Sequence, residues 1–170
     1  MNRILDFTAL SQDKEKLAAA LSKIERPEEL DHWLLVAARE GMAGVLEPLM
    51  AAGACIETGA ESATWRPLHV AVEHSQVAVV RRLVELGADL SSKMGGGATP
   101  LHLAVDVAAD SAEQNHEFGR AVDTEALEVL KLLLELGADP ETLDERGRSP
   151  LDWANDAGYG SVTALFHGAG

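Results

Sequence analysis

One six-residue pattern, recurring at a fixed spacing, constrains this chain more than any other feature. Thr99-Pro100-Leu101-His102-Leu103-Ala104 is preceded by Arg66-Pro67-Leu68-His69-Val70-Ala71 and followed by Ser149-Pro150-Leu151-Asp152-Trp153-Ala154. Upstream, His32-Trp33-Leu34-Leu35-Val36-Ala37 keeps only the apolar skeleton, with Trp33 where the others have proline. Successive copies are 34, 33 and 50 residues apart, the last being one period of 33 with 17 residues inserted. Such a period signals an array of small units, each unable to bury its apolar face alone and stacked to share one core.

The copies also end alike. Leu83-Val84-Glu85-Leu86-Gly87-Ala88-Asp89 and Leu133-Leu134-Glu135-Leu136-Gly137-Ala138-Asp139 are nearly identical, and Leu49-Met50-Ala51-Ala52-Gly53-Ala54-Cys55 is a looser version. Glycine just past a helix end accepts left-handed dihedrals that a residue with a Cβ resists. In these two linked motifs, over roughly residues 31 to 167, the chain resembles the ankyrin repeat family. The resemblance implies an all-α solenoid of about four stacked helix-turn-helix units with projecting turns. It also implies binding of a protein partner, without catalysis or cofactor, through the groove lined by those turns and the inner helices.

In chain order, residues 1–30 are expected to form an N-terminal cap, with a helix from Ser11 to Lys23 whose Leu17, Leu21 and Ile24 share one side. Asp13, Lys14, Glu15 and Lys16 would face water. A second helix starts near Pro27, a residue favoured in a first turn. Repeats follow at 31–63, 64–96, 97–146 and 147–170, the last doubling as a C-terminal cap. Pro48 is expected in the first turn or so of the outer helix of repeat one, where a missing donor costs least. The insertion, about 107–123, is expected to lengthen the inner helix by a turn or two and loop back. Phe118 is its only large apolar side chain and would lie against the stack or await a partner.

With 14 Lys and Arg against 28 Asp and Glu, the net charge of −14 argues against nucleic acid and anionic membrane as partners. It suits a basic protein partner, and an acidic inhibitor or immunity protein that sequesters a basic toxin is the alternative reading. One cysteine, Cys55, permits no internal disulfide. No signal-like start or membrane-length apolar run is present, so a cytoplasmic location and a monomer are expected. Gly95-Gly96-Gly97 lacks the preceding strand and following Lys-Ser or Lys-Thr of a phosphate loop. His69 and His102 occupy a motif position that the resemblance makes structural, and no metal is expected. No G-x-S-x-G, H-E-x-x-H or P-loop pattern points to an enzyme.

The resemblance carries over to groove positions residue by residue. The turn residues before each proline include Asp31, Trp65 and Arg148. The exposed positions ending the inner helices include Arg39, Glu40, Glu73, His74 and Asp106. Turn tips add Glu61, Met94, Glu145 and Arg146, and the insertion adds Phe118. Trp65 is the expected apolar anchor, within an acidic rim suited to a partner carrying Arg or Lys.

Overall fold

In the computed structural model, residues 14–59, 65–118, 124–158 and 160–167 are described, with side chains left aside at Lys14, 111–118, Ser161 and His167. The expected cap at Ser11, the turn tip at Glu61 and the side chain of Phe118 therefore lie outside the described residues. Among those described, all regular structure is helical: α1 (Lys14–Leu21), α2 (Pro27–Arg39), α3 (Ala43–Ala51), α4 (Pro67–Glu73), α5 (Val77–Glu85), α6 (Pro100–Phe118), α7 (Thr124–Glu135), α8 (Pro150–Ala157) and α9 (Gly160–His167).

The helices form two layers. In the inner layer α2 packs on α4, α4 on α6 and α6 on α8; in the outer layer α1 packs on α3, α3 on α5, α5 on α7 and α7 on α9. Each inner helix also packs on the outer helix that follows it. The sequence makes the layers by placing one leucine per inner helix at the same register. Leu34, Leu68 and Leu101 are fully or almost fully buried there, and Ala37, Ala71, Ala104 and Ala154 let adjacent helices approach. Outer helices contribute Leu46, Leu49, Val80, Leu83, Leu130 and Leu133 to the same core. In α1, Leu17 and Leu21 are buried and Ile24 just beyond it is partly so, which closes the apolar end of the outer layer.

The Gly-Ala-Asp ends act as expected and the reason is visible. Gly53, Gly87 and Gly137 have φ of +113°, +97° and +92°. The next amide, of Ala54, Ala88 or Ala138, donates back to Leu49, Leu83 or Leu133 at 2.9–3.0 Å, satisfying a carbonyl the helix would leave orphaned. The aspartate then caps the turn beyond: Asp89 accepts the Ser91 amide at 2.8 Å and Asp139 the Glu141 amide at 2.9 Å. Cys55 cannot do this, and its own amide is held instead by Asp31 at 2.7 Å.

Two expectations are corrected. Pro48 is the sixth residue of α3, beyond its first turn; the carbonyl it cannot bond belongs to Gly44, which is exposed and open to water. The insertion lengthens the inner helix by about three turns rather than the expected one or two. Helix α6 has 19 residues against 7 in α4, about three extra turns at ~3.6 residues each. Ala108 and Ala109 are buried and continue the apolar face past Val107, where the repeat length alone would end the helix.

Gly95–Gly97 forms a short 3-10 turn, and close packing explains its glycines. Gly96 and Gly97 have φ of +80° and +78°, and a Cβ on Gly97 would sit 2.8 Å from the backbone nitrogen of Glu145. The Glu145 amide donates to the Gly96 carbonyl at 3.0 Å, so the projecting turns of successive repeats touch backbone to backbone.

Candidate functional site

The inner helices present one register position that is apolar in every repeat: Val36, Val70, Leu103 and Trp153. Val36, Val70 and Trp153 are half-buried. At the N-terminal end this ridge opens into a cleft of about 280 Å³ lined by His32, Leu35, Val36, Arg39, Trp65, Val70 and His74. Trp65 reaches it from the strand-like approach to α4; the indole is half-buried and packs on the core rather than standing free. His74 closes one side, its Nδ1–H donating to the Val70 carbonyl at 3.1 Å. Arg39 is held by Glu40 at 2.8 Å, both exposed.

Beyond the cleft the next register position reads Arg39, Glu73, Asp106, Asp156, all exposed. It turns from basic to acidic along the stack. Asp106 and Asp110 lie one turn apart on α6, on one face, where like charges repel. Desolvation, and then the charge of Asp110, hold the Asp106 carboxyl above the usual carboxylate range.

The C-terminal end is organised differently. Asp144, almost fully buried, accepts the amides of Arg146 at 2.8 Å and Arg148 at 2.9 Å, the Arg148 guanidinium at 3.0 Å and the Trp153 indole N–H at 3.1 Å. These bonds, the Arg148 amide foremost, hold its carboxyl far below the ordinary range. The Arg148 guanidinium lies 5.0 Å from the centre of the Trp153 ring, which packs edge-to-face with His102, ring centres 5.2 Å apart. A second concavity of about 350 Å³ is framed here by Gly95, Gly96, Ala98, Asp144, Glu145, Arg146, Arg148 and Trp153.

His102 is structural as expected. Its Nδ1 accepts from the Thr99 amide at 3.2 Å and the Thr99 hydroxyl at 2.9 Å, which leaves the proton on Nε2 to donate to the Arg148 carbonyl at 3.1 Å. Asp152 reproduces half of this with Ser149 in a capping box. His69 does not. It is fully buried, and neither ring nitrogen makes a well-formed hydrogen bond, the backbone of Ser92 acting on the ring only weakly; the hydroxyl of Ser92 is likewise buried and unpartnered. Burial, and then the cation of Arg66, push His69 down to about 4, so it is neutral. Among the described residues no three His, Cys, Asp or Glu side chains converge where an ion could sit, and no helix is long and apolar enough to cross a membrane.

The positions expected to form the groove thus divide. Trp65, Arg39 and His74 are brought together in the cleft, with Glu40 and Glu73 exposed beside it and Asp106 exposed on the next inner helix. Glu145, Arg146 and Arg148 gather at the second concavity. Asp31 is turned to the fold, its two oxygens taking the Cys55 amide and the Thr58 hydroxyl. Met94 packs on the core, with its amide donating to Ala98. Sequence reasoning missed Leu35, Val36, Val70 and Trp153, although aligning the position after each motif histidine would have found the apolar ridge.

Comparisons with known proteins agree with this architecture. The family model "Ankyrin repeats (3 copies)" matches residues 34–114, and the model "Ankyrin repeat" matches residues 96–145. Over 67 residues the chain is 42% identical to human neurogenic locus notch homolog protein 4, a match covering 39% of this chain and 3% of that protein. In structure it is similar to the ankyrin repeat domain of Bcl-3, described as a unique member of the IkappaB protein family, with a TM-score of 0.61 and 23% identity. That match covers 79% of this chain and half of the other.

Proposed function

This chain belongs to the ankyrin repeat family, and from that premise we propose that it is a non-catalytic module that binds a protein partner on the inner-helix layer. The observation that carries the reading is the Trp65 cleft. It places a half-buried indole among Leu35, Val36 and Val70, between two exposed charged edges, on the face the repeats leave uncovered. Large aromatic side chains in partly desolvated pockets dominate binding energy at protein interfaces. The stacked helices offer a row of such positions and hold them at fixed spacing.

The test starts from a partner captured from the native host and measured by isothermal titration. Trp65→Ala should weaken binding by at least about tenfold, the loss of one anchoring contact of ~1.4 kcal/mol or more. Glu73→Lys, on the rim, should weaken binding and lessen its dependence on salt. Unchanged affinity in both variants would remove the inner layer from consideration.

A further inference from the structure

Three acids of the inner layer have no cation beside them among the described residues, although other charges on both layers are paired, Arg39 with Glu40 at 2.8 Å and Asp156 with Arg148 at 3.9 Å among them. On the outer helices Arg82 bridges Glu47 at 2.7 Å and Glu85 at 3.0 Å, and Lys131 meets Glu135 at 3.7 Å. In the projecting turns Glu57 holds Arg66 and Asp144 holds Arg148. Glu73, Asp106 and Asp110 have no such partner among the described residues, although Asp106 and Asp110 crowd each other one turn apart. They lie on α4, which lines the apolar cleft with α2, and on α6, the next inner helix.

We propose that the occupant of this face is an extended, basic peptide segment. Its apolar side chain fills the Trp65 cleft, and an Arg or Lys about four residues away along the segment pairs with the Asp106–Asp110 carboxylates. This rests on the reading of the cleft as a protein-binding site and specifies what enters it. The spacing follows from geometry. Packed helices lie about 8–10 Å apart, so α6 is about 12–15 Å from the middle of the α2–α4 cleft, and an extended chain advancing about 3.3 Å per residue covers that in about four residues. A cation there relieves the Asp106–Asp110 repulsion and the shift it imposes on Asp106. Glu73, between the two points, adds to the field that draws a basic segment in.

The experiment uses fluorescein-labelled peptides on the full chain, read by anisotropy. The first has a Phe with Arg four residues to either side in a Gly/Ser background. The second replaces Arg by Glu, and the third has the composition of the first with both Arg adjacent to Phe. The first should bind about tenfold more tightly than either other peptide. Asp106→Asn with Asp110→Asn should remove that advantage, while Glu128→Gln with Glu135→Gln on α7, an equal change of net charge, should leave it in place. Equal binding of the three peptides, no binding of any, or equal sensitivity to both charge pairs would overturn the proposal. Trp65→Ala separates the two levels. If it abolishes binding while charge and spacing prove irrelevant, the cleft stands and the basic register falls. If it changes nothing, the cleft falls as well.

Discussion

Repeats two and three carry the same motif and use it differently. In repeat three, Ala98-Thr99 precedes the proline, and Thr99 supplies two hydrogen bonds to His102, which passes a third to the next repeat. In repeat two the same two places hold Trp65-Arg66. Arg66 turns away to Glu57 at 2.9 Å, His69 is left buried without a well-formed hydrogen bond, and Trp65 gives the groove an indole that Ala98 cannot. The exchange trades a satisfied junction for a half-buried indole on the inner face. Sites where a chain breaks its own local rules are where function is expected.

This contrast can be broken in four ways. His102→Ala should cost about 3 kcal/mol, since it opens a cavity and strands Thr99, whereas His69→Leu should be near neutral or stabilising because it removes a buried polar ring that has no well-formed bond to lose. Urea midpoints of the two variants would collapse the distinction if they fell together. Gly97→Ala should cost roughly 2 kcal/mol, from the clash with Glu145 and the positive φ, and would show that the junction from repeat three to four is the tightly locked one.

The third is a pH titration. The folded-state value of His69, about 4, lies below the ~6.5 of an unfolded histidine, so the unfolded chain binds more protons between them. Its contribution to stability is complete above pH ~6.5 and is lost as pH falls toward 4, by at most about 1.4 kcal/mol per pH unit. Wild type should lose stability across that window relative to His69→Leu, and parallel curves would mean the ring is solvated. The smallest effect is expected of Arg66→Thr, which restores the cap and should add about 1 kcal/mol by thermal melting.

What was legible in the sequence was local. Helix starts at Pro67, Pro100 and Pro150, the glycine stops, and the structural place of His102 follow from residues within a few positions of one another. What was not legible depends on distant chain. Asp31 reads as a groove residue until its oxygens are found on Cys55 and Thr58, 24 and 27 residues on. The length of α6 depends on Ala108 and Ala109 finding buried contacts, which periodicity at 33 residues does not reveal. The loss of well-formed bonds at His69 was open to inspection, since Arg66 replaces a threonine, but the motif's resemblance concealed it.

The account stands on the inner layer being the face that meets a partner. A benzophenone side chain placed at His74, beside the cleft, or at Ala78, exposed on outer helix α5, tests this directly by photo-crosslinking to the captured partner. Crosslinking from position 74 and not from 78 is the predicted result. Crosslinking from 78 alone, or equally from both, would contradict it.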